Sequence, residues 1–117
     1  MSQFTIYHNP RCSKSRQTLA LLEENGVTPD IVEYLTATPN ASELKAVIAK
    51  LGMPPRELLR KGEDAYRDNN LADTGLTDTQ LIAAMVAHPK LIERPIVIAG
   101  ERAVLGRPPE NVLALLN

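Results

Sequence analysis

Apolar positions change their spacing along this chain in a readable way. In Phe4-Thr5-Ile6-Tyr7 they alternate, with Phe4 and Ile6 on one side, which predicts a short strand stopped by the turn formers His8-Asn9-Pro10. From Ser13 to Asn25 the spacing turns helical. Leu19 and Leu22 share a face, Ala20 and Leu21 widen it, and Gly26 stands where a glycine follows a helix C-terminus. Asp30 to Tyr34 reads as a second strand, so the chain opens with a β-α-β unit of about 30 residues.

The middle of the chain is helical in pattern. Asn40 with Glu43 makes a capping pair ahead of Leu44, Val47, Ile48 and Leu51, which follow the i, i+3, i+4, i+7 rule, and Gly52 ends the run. Pro54-Pro55 opens a short helical turn through Leu58, Leu59 and Arg60. Lys61 to Gly75 is polar, mixed in charge, and reads as irregular or weakly helical. Thr77 and Gln80 form a second capping box before a helix burying Leu81, Ile82, Met85 and Val86, which His88-Pro89 terminates.

Ile96-Val97-Ile98 and Ala103-Val104-Leu105 then read as strands joined through Gly100-Glu101, and a last helix carries Val112, Leu113 and Leu116. The order β-α-β, helical stretch, β-β-α predicts an α/β protein of the thioredoxin-like kind. In that arrangement helices cover a small mixed β-sheet, here with a helical insertion, in a single domain over residues 1–117.

Composition narrows the function classes. With 44% hydrophobic and 23% charged residues the chain can bury a core, which argues against disorder. The only aromatics are Phe4, Tyr7, Tyr34 and Tyr66, and the net charge is −1. Neither a base-stacking platform nor a broad basic surface can be built from these, so no nucleic-acid partner is expected. The first residues lack the basic and apolar segments of a signal peptide, and no apolar run approaches membrane-spanning length. A cytoplasmic protein with no membrane partner is the expectation, in keeping with a single cysteine and no internal disulfide.

That cysteine has an informative setting. In His8-Asn9-Pro10-Arg11-Cys12-Ser13-Lys14-Ser15-Arg16 a strand ends, turns at proline and delivers Cys12 to a helix N-terminus. The free N–H groups and the positive end of the helix dipole favour thiolate over thiol there, and Arg11, Lys14, Arg16 and a protonated His8 would add positive charge. A structural cysteine would sit among apolar neighbours instead. We therefore read Cys12 as a nucleophile. Dithiol chemistry needs Cys-x-x-Cys, but the fourth position is Ser15, so an outside thiol such as glutathione must resolve any covalent intermediate. A phosphatase-type loop would require arginine at position 18, which is Thr18, and one cysteine with two distant histidines makes no metal site.

An oxyanion partner needs fixed counter-charge, which arginine supplies. Of eight arginines, three have distinctive placement. Arg60 follows the Pro-Pro turn, Arg94 precedes Pro95 at the start of a strand, and Arg107 follows Gly106 ahead of Pro108-Pro109. Thioredoxin-like folds place a cis-proline facing the active-site cysteine, and by analogy Arg94-Pro95 is the candidate.

Taken together, Ile6 to Arg16, Leu58-Leu59-Arg60-Lys61, His88 to Val97 and Gly106-Arg107-Pro108 resemble the glutaredoxin-linked arsenate reductases of bacteria, in order and spacing, over nearly the whole chain. The resemblance implies that Cys12 attacks arsenate or a similar oxyanion while Arg60, Arg94 and Arg107 hold it. It also implies that His8 helps to lower the Cys12 pKa and that Ser15 and Arg16 support the anion-binding loop. No bound cofactor is implied. Glutathione acts as co-substrate on the arsenic adduct, glutaredoxin removes the glutathione, and arsenite leaves. Ser13-Lys14 between Cys12 and Ser15, where well-known members carry small uncharged residues, and an end at Asn117 suggest a shorter branch. The alternative is a redox-responsive transcription regulator of the same fold that binds RNA polymerase. Its sensing members carry Cys-x-x-Cys, against which Ser15 argues.

Overall fold

Local backbone chemistry explains where most elements start and stop in the structure, a computed structural model that describes residues 3–116. The polypeptide divides into two compact units, one made of Met1–Ala37 with Arg94–Asn117, the other of Thr38–Glu93.

The first unit contains β1 (Phe4–Tyr7), α1 (Ser13–Glu24), β2 (Asp30–Val32), the later strands β3 (Ile96–Ala99) and β4 (Arg102–Leu105), and a 3-10 helix at Pro109–Leu116. The sheet order is β2-β1-β3-β4, with β1 parallel to β2 and antiparallel to β3, and β3 antiparallel to β4. This mixed sheet with its helices is the thioredoxin-like α/β architecture. Ile6 faces Val97 across the central ladder, and both are fully buried. With Leu22 of α1 and Val112 and Leu115 of the 3-10 helix they form the core of the unit. Each such side chain contributes at most about 1.5–3 kcal/mol by leaving water. Gly100, at φ +62°, turns the β3–β4 hairpin in a backbone region that side chains resist.

The second unit is helical, with α2 (Ala41–Leu51), α3 (Pro55–Leu58), α4 (Asp64–Asp68), α5 (Asp78–Ala87) and a 3-10 turn at Pro89–Leu91. Both capping boxes form, Asn40 with Glu43 and Thr77 with Gln80. Gly52 ends α2 in the left-handed region at φ +70°. Leu44, Val47 and Ile48 of α2 and Leu81, Ile82 and Met85 of α5 are buried, and the two helices pack together. A short antiparallel pairing ties the end of this unit down: Arg60 N–H donates to Leu91 O at 2.8 Å and Glu93 N–H to Leu58 O at 2.9 Å.

Two sequence expectations need correction. The second strand stops at Val32 and does not reach Tyr34. His8 N–H donates to Val32 O at 2.9 Å, and the partner chain then runs through Asn9 into Pro10, which has no N–H to continue the ladder. Residues 33–37 instead close a turn on Glu33 O. The last helix is 3-10, with three residues per turn, so its buried face is Pro109, Val112 and Leu115. Leu113, expected in the core from a 3.6-residue period, is exposed.

Candidate active site

The loop between β1 and α1 is held almost entirely by its own polar groups. Cys12 is the N-cap residue of α1, with φ −94° and ψ 123°, and its side chain makes no capping bond. Its N–H donates to Asn9 O at 3.0 Å, and its carbonyl accepts from Arg16 N–H at 3.0 Å. Asn9 closes a tight turn by accepting from Arg11 N–H at 3.0 Å, and Arg16 reaches back to donate to Pro10 O at 2.9 Å. The sulfur is half-buried at the positive end of a helix dipole, and no acidic residue occupies the first turn of α1.

Ser15 lies in the first turn of the helix and is fully buried. Its Oγ accepts from Asn9 N–H at 3.1 Å and stands 2.6 Å from His8 Nδ1. The hydroxyl thus locks the loop from inside. His8 is itself buried. Desolvation pushes its pKa below the ordinary value of 6.5; Glu33 acts in the opposite direction, and Arg16 adds to the lowering. The shift favours the neutral ring. This direction runs against the protonated His8 expected from the sequence, and the contact the structure gives the ring is the one with Ser15.

Arg107 approaches from the far end of the sequence. Its Nη1 lies 4.0 Å from Cys12 Sγ and donates to Arg94 O at 3.3 Å. The peptide bonds Arg94–Pro95 and Arg107–Pro108 are both cis, the first as expected by analogy. Gly106 N–H donates to Pro95 O at 2.9 Å, so the two segments run side by side. Arg94 joins the site through its backbone carbonyl, and its Nε is buried. Arg60 belongs to the helical unit, where its guanidinium stands between Glu63 at 3.1 Å and Glu93 at 3.4 Å.

The structure brings together Cys12, His8, Ser15, Arg16, Arg107 and the Arg94 backbone within one unit. It also reveals residues that sequence reasoning passed over. Thr18, fully buried, shares its one Oγ1 proton between Lys14 O at 2.8 Å and Gly106 O at 3.2 Å. A Cβ on Gly106 would stand 2.5 Å from Thr18 Oγ1 and 2.8 Å from Pro95 Cγ, so only glycine fits. The available signal was polar spacing: Ser15 and Thr18 share the buried stripe of α1 with Leu22, and buried hydroxyls require partners.

Among the described residues no cluster of histidine, cysteine, aspartate and glutamate could hold a metal ion, and no helix is long and apolar enough to cross a membrane.

The Escherichia coli K12 protein YfgD is 55% identical over 115 residues, covering 97% of each chain. An arsenate reductase of Neisseria meningitidis (strain Z2491) is 45% identical over 117 residues, covering 99% of this chain and 100% of the relative. The solved structure of an arsenate reductase from Vibrio cholerae superposes with a TM-score of 0.93 at 51% identity, covering 95% of each chain. The pattern of the ArsC family matches residues 7–115, and this chain belongs to the ArsC family.

Proposed function

We propose that this protein reduces arsenate to arsenite through a covalent bond between Cys12 and arsenic, using glutathione and glutaredoxin. The observation that carries the reading is the Cys12 sulfur at the N-terminus of α1 with the Arg107 guanidinium 4.0 Å away. A nucleophile that also faces a fixed cation suits an anionic electrophile, since the cation offsets charge repulsion between thiolate and oxyanion. The activity named for the relatives from Neisseria meningitidis and Vibrio cholerae supports the same reading.

In this scheme Cys12 Sγ attacks arsenic and one arsenate oxygen leaves as water, with arsenic still pentavalent. Arg107, with Arg94, holds the remaining oxygens, while the His8–Ser15 pair keeps the loop in shape. The assignments of Arg60 and of the Arg94 side chain to the oxyanion rest on sequence resemblance alone. No second cysteine exists in the chain, so the thiol of glutathione adds to the adduct with loss of a second water. A glutaredoxin thiol then attacks the glutathione sulfur and forms a mixed disulfide, and the electron pair of the broken sulfur–arsenic bond reduces arsenic to the trivalent state. Water releases arsenite and returns Cys12. The net balance is arsenate plus two thiols giving arsenite, one disulfide and one water. Such chemistry needs no bound cofactor and belongs to a reducing, glutathione-containing cytoplasm.

The regulator alternative gains no support, because the position that would hold a second switching thiol is Ser15, buried against His8 and Asn9. The test is a turnover assay with arsenate, glutathione and glutaredoxin. Arsenite should accumulate only when all three are present. Arsenite formation that ignores glutaredoxin would refute the thiol-relay part of the scheme.

A further inference from the structure

Three successive backbone carbonyls lead into and through Arg107, and all three accept from side chains, one from α1 and two from a single residue of the 3-10 helix. Thr18 Oγ1 of α1 donates to Gly106 O at 3.2 Å. Asn111 Nδ2, on the 3-10 helix, donates to Leu105 O at 3.1 Å and to Arg107 O at 3.2 Å. The Gly106 N–H is held as well, by Pro95 O at 2.9 Å. Because a peptide unit is planar, holding the Gly106 carbonyl also fixes the Arg107 nitrogen and the direction in which its Cα leaves. Holding the next carbonyl restricts the other side of the same residue. The bare Cα of Gly106 lets Thr18 come close enough for this bond.

We infer that Thr18 and Asn111 are positioning residues that clamp the Arg107 backbone so that its guanidinium stands beside the Cys12 sulfur. The inference deepens the proposed function and rests on it for its catalytic meaning, but the geometry is testable without arsenate. Thr18 is fully buried and belongs to the helix that carries Cys12 at its N-cap, so one rigid element sets both the sulfur and the carbonyl that orients the arginine. A guanidinium on a long flexible stem would otherwise sample many rotamers, and the clamp removes the backbone part of that freedom.

The experiment compares alkylation of Cys12 by iodoacetate, an anion, with alkylation by neutral iodoacetamide. The ratio of the two rates reports positive charge at the sulfur and is insensitive to a mere loss of stability in molecules that remain folded. Thr18→Val and Asn111→Ala should each lower the ratio, by about three-fold or more for Thr18→Val, while Thr18→Ser, which keeps the hydroxyl, retains it. In an Arg107→Ala background Thr18→Val should change the ratio no further. Asn111 is exposed, so its replacement serves as the test if Thr18→Val does not fold. An unchanged ratio in the folded variants, an equal drop in the Arg107→Ala background, or failure of Thr18→Ser to retain it would overturn the inference. Absence of arsenate turnover by the unmodified protein would instead remove the proposed function and leave the alkylation series to decide the clamp.

Discussion

Replacing Gly106 by alanine should destabilise the protein, against the usual trend for this substitution. Gly106 lies outside the left-handed backbone region, and a glycine in a permitted conformation normally gains about 0.4–1 kcal/mol when alanine reduces the freedom of the unfolded chain. Here the added methyl would lie 2.5 Å from Thr18 Oγ1, 2.8 Å from Pro95 Cγ and 2.9 Å from Thr18 Cγ2. These are roughly 1 Å inside the optimum of a non-bonded contact, about 3.5–4 Å for carbon. Thr18 can relieve its share by rotating, at the loss of the bonds to Lys14 O and Gly106 O. That costs about 1 kcal/mol net. The Pro95 ring cannot rotate away, and forcing its neighbours apart costs about 1–2 kcal/mol more. After the entropic gain is subtracted, the net loss is roughly 1–2.5 kcal/mol, a fall of about 4–12 °C in the thermal midpoint. Circular dichroism melting of Gly106→Ala measures it. Pairing the change with Thr18→Ala removes two of the three close atoms, so the double variant should lose less than the sum of the singles. A neutral or stabilising Gly106→Ala would refute the close packing at this point.

Several further outcomes follow from the same geometry. Arg107→Ala should weaken oxyanion binding by about 1.5 kcal/mol, the low end for a charged hydrogen bond because the guanidinium is exposed; isothermal titration with arsenate measures it, and unchanged affinity would remove Arg107 from the site. Arg60→Ala tests the assignment made by resemblance: it should raise the arsenate KM if Arg60 holds the oxyanion, and leave KM unchanged if the residue serves only Glu63 and Glu93. Ser15→Ala should cost about 1–3 kcal/mol in a denaturant titration, since it leaves Asn9 N–H and His8 Nδ1 without their buried partner. His8 has a folded pKa below its unfolded value of 6.5, so the unfolded chain takes up the proton first as pH falls. Its contribution to stability should be present above 6.5 and be lost as the pH falls from there through the folded value, and His8→Gln should flatten that acid-side part of a urea-midpoint profile.

What could be read from the sequence was what a few neighbouring residues decide. The capping boxes at Asn40 and Thr77 and the left-handed Gly52 depend only on residues within a turn of themselves, and all three form. The place of Cys12 at the start of α1 was readable because Pro10 and the following helical pattern are local. The misses depend on distant partners or on a choice between two local periods. β2 stops at Val32 because its neighbour runs into Pro10, which no periodicity within residues 30–34 records. The 3-10 winding of Pro109–Leu116 exchanges one buried face for another, and the apolar residues there fit both periods. The charge of His8 depends on burial, and the partnership of Thr18 with Gly106 links residues 88 apart. Local chemistry thus pointed to the candidate nucleophile, while the contacts of Thr18 and Asn111 with the backbone around Arg107 are visible only in three dimensions.

The central claim is that one sulfur, Cys12, carries the reduction. Its most direct test is the rate of arsenite release by Cys12→Ser beside the unmodified protein, with glutathione and glutaredoxin in excess. Serine occupies almost the same volume but is a far weaker nucleophile and cannot form the sulfur–arsenic bond, so release should fall to the uncatalysed background while the fold is retained. Arsenite released by Cys12→Ser at a rate comparable to the unmodified protein would contradict the account.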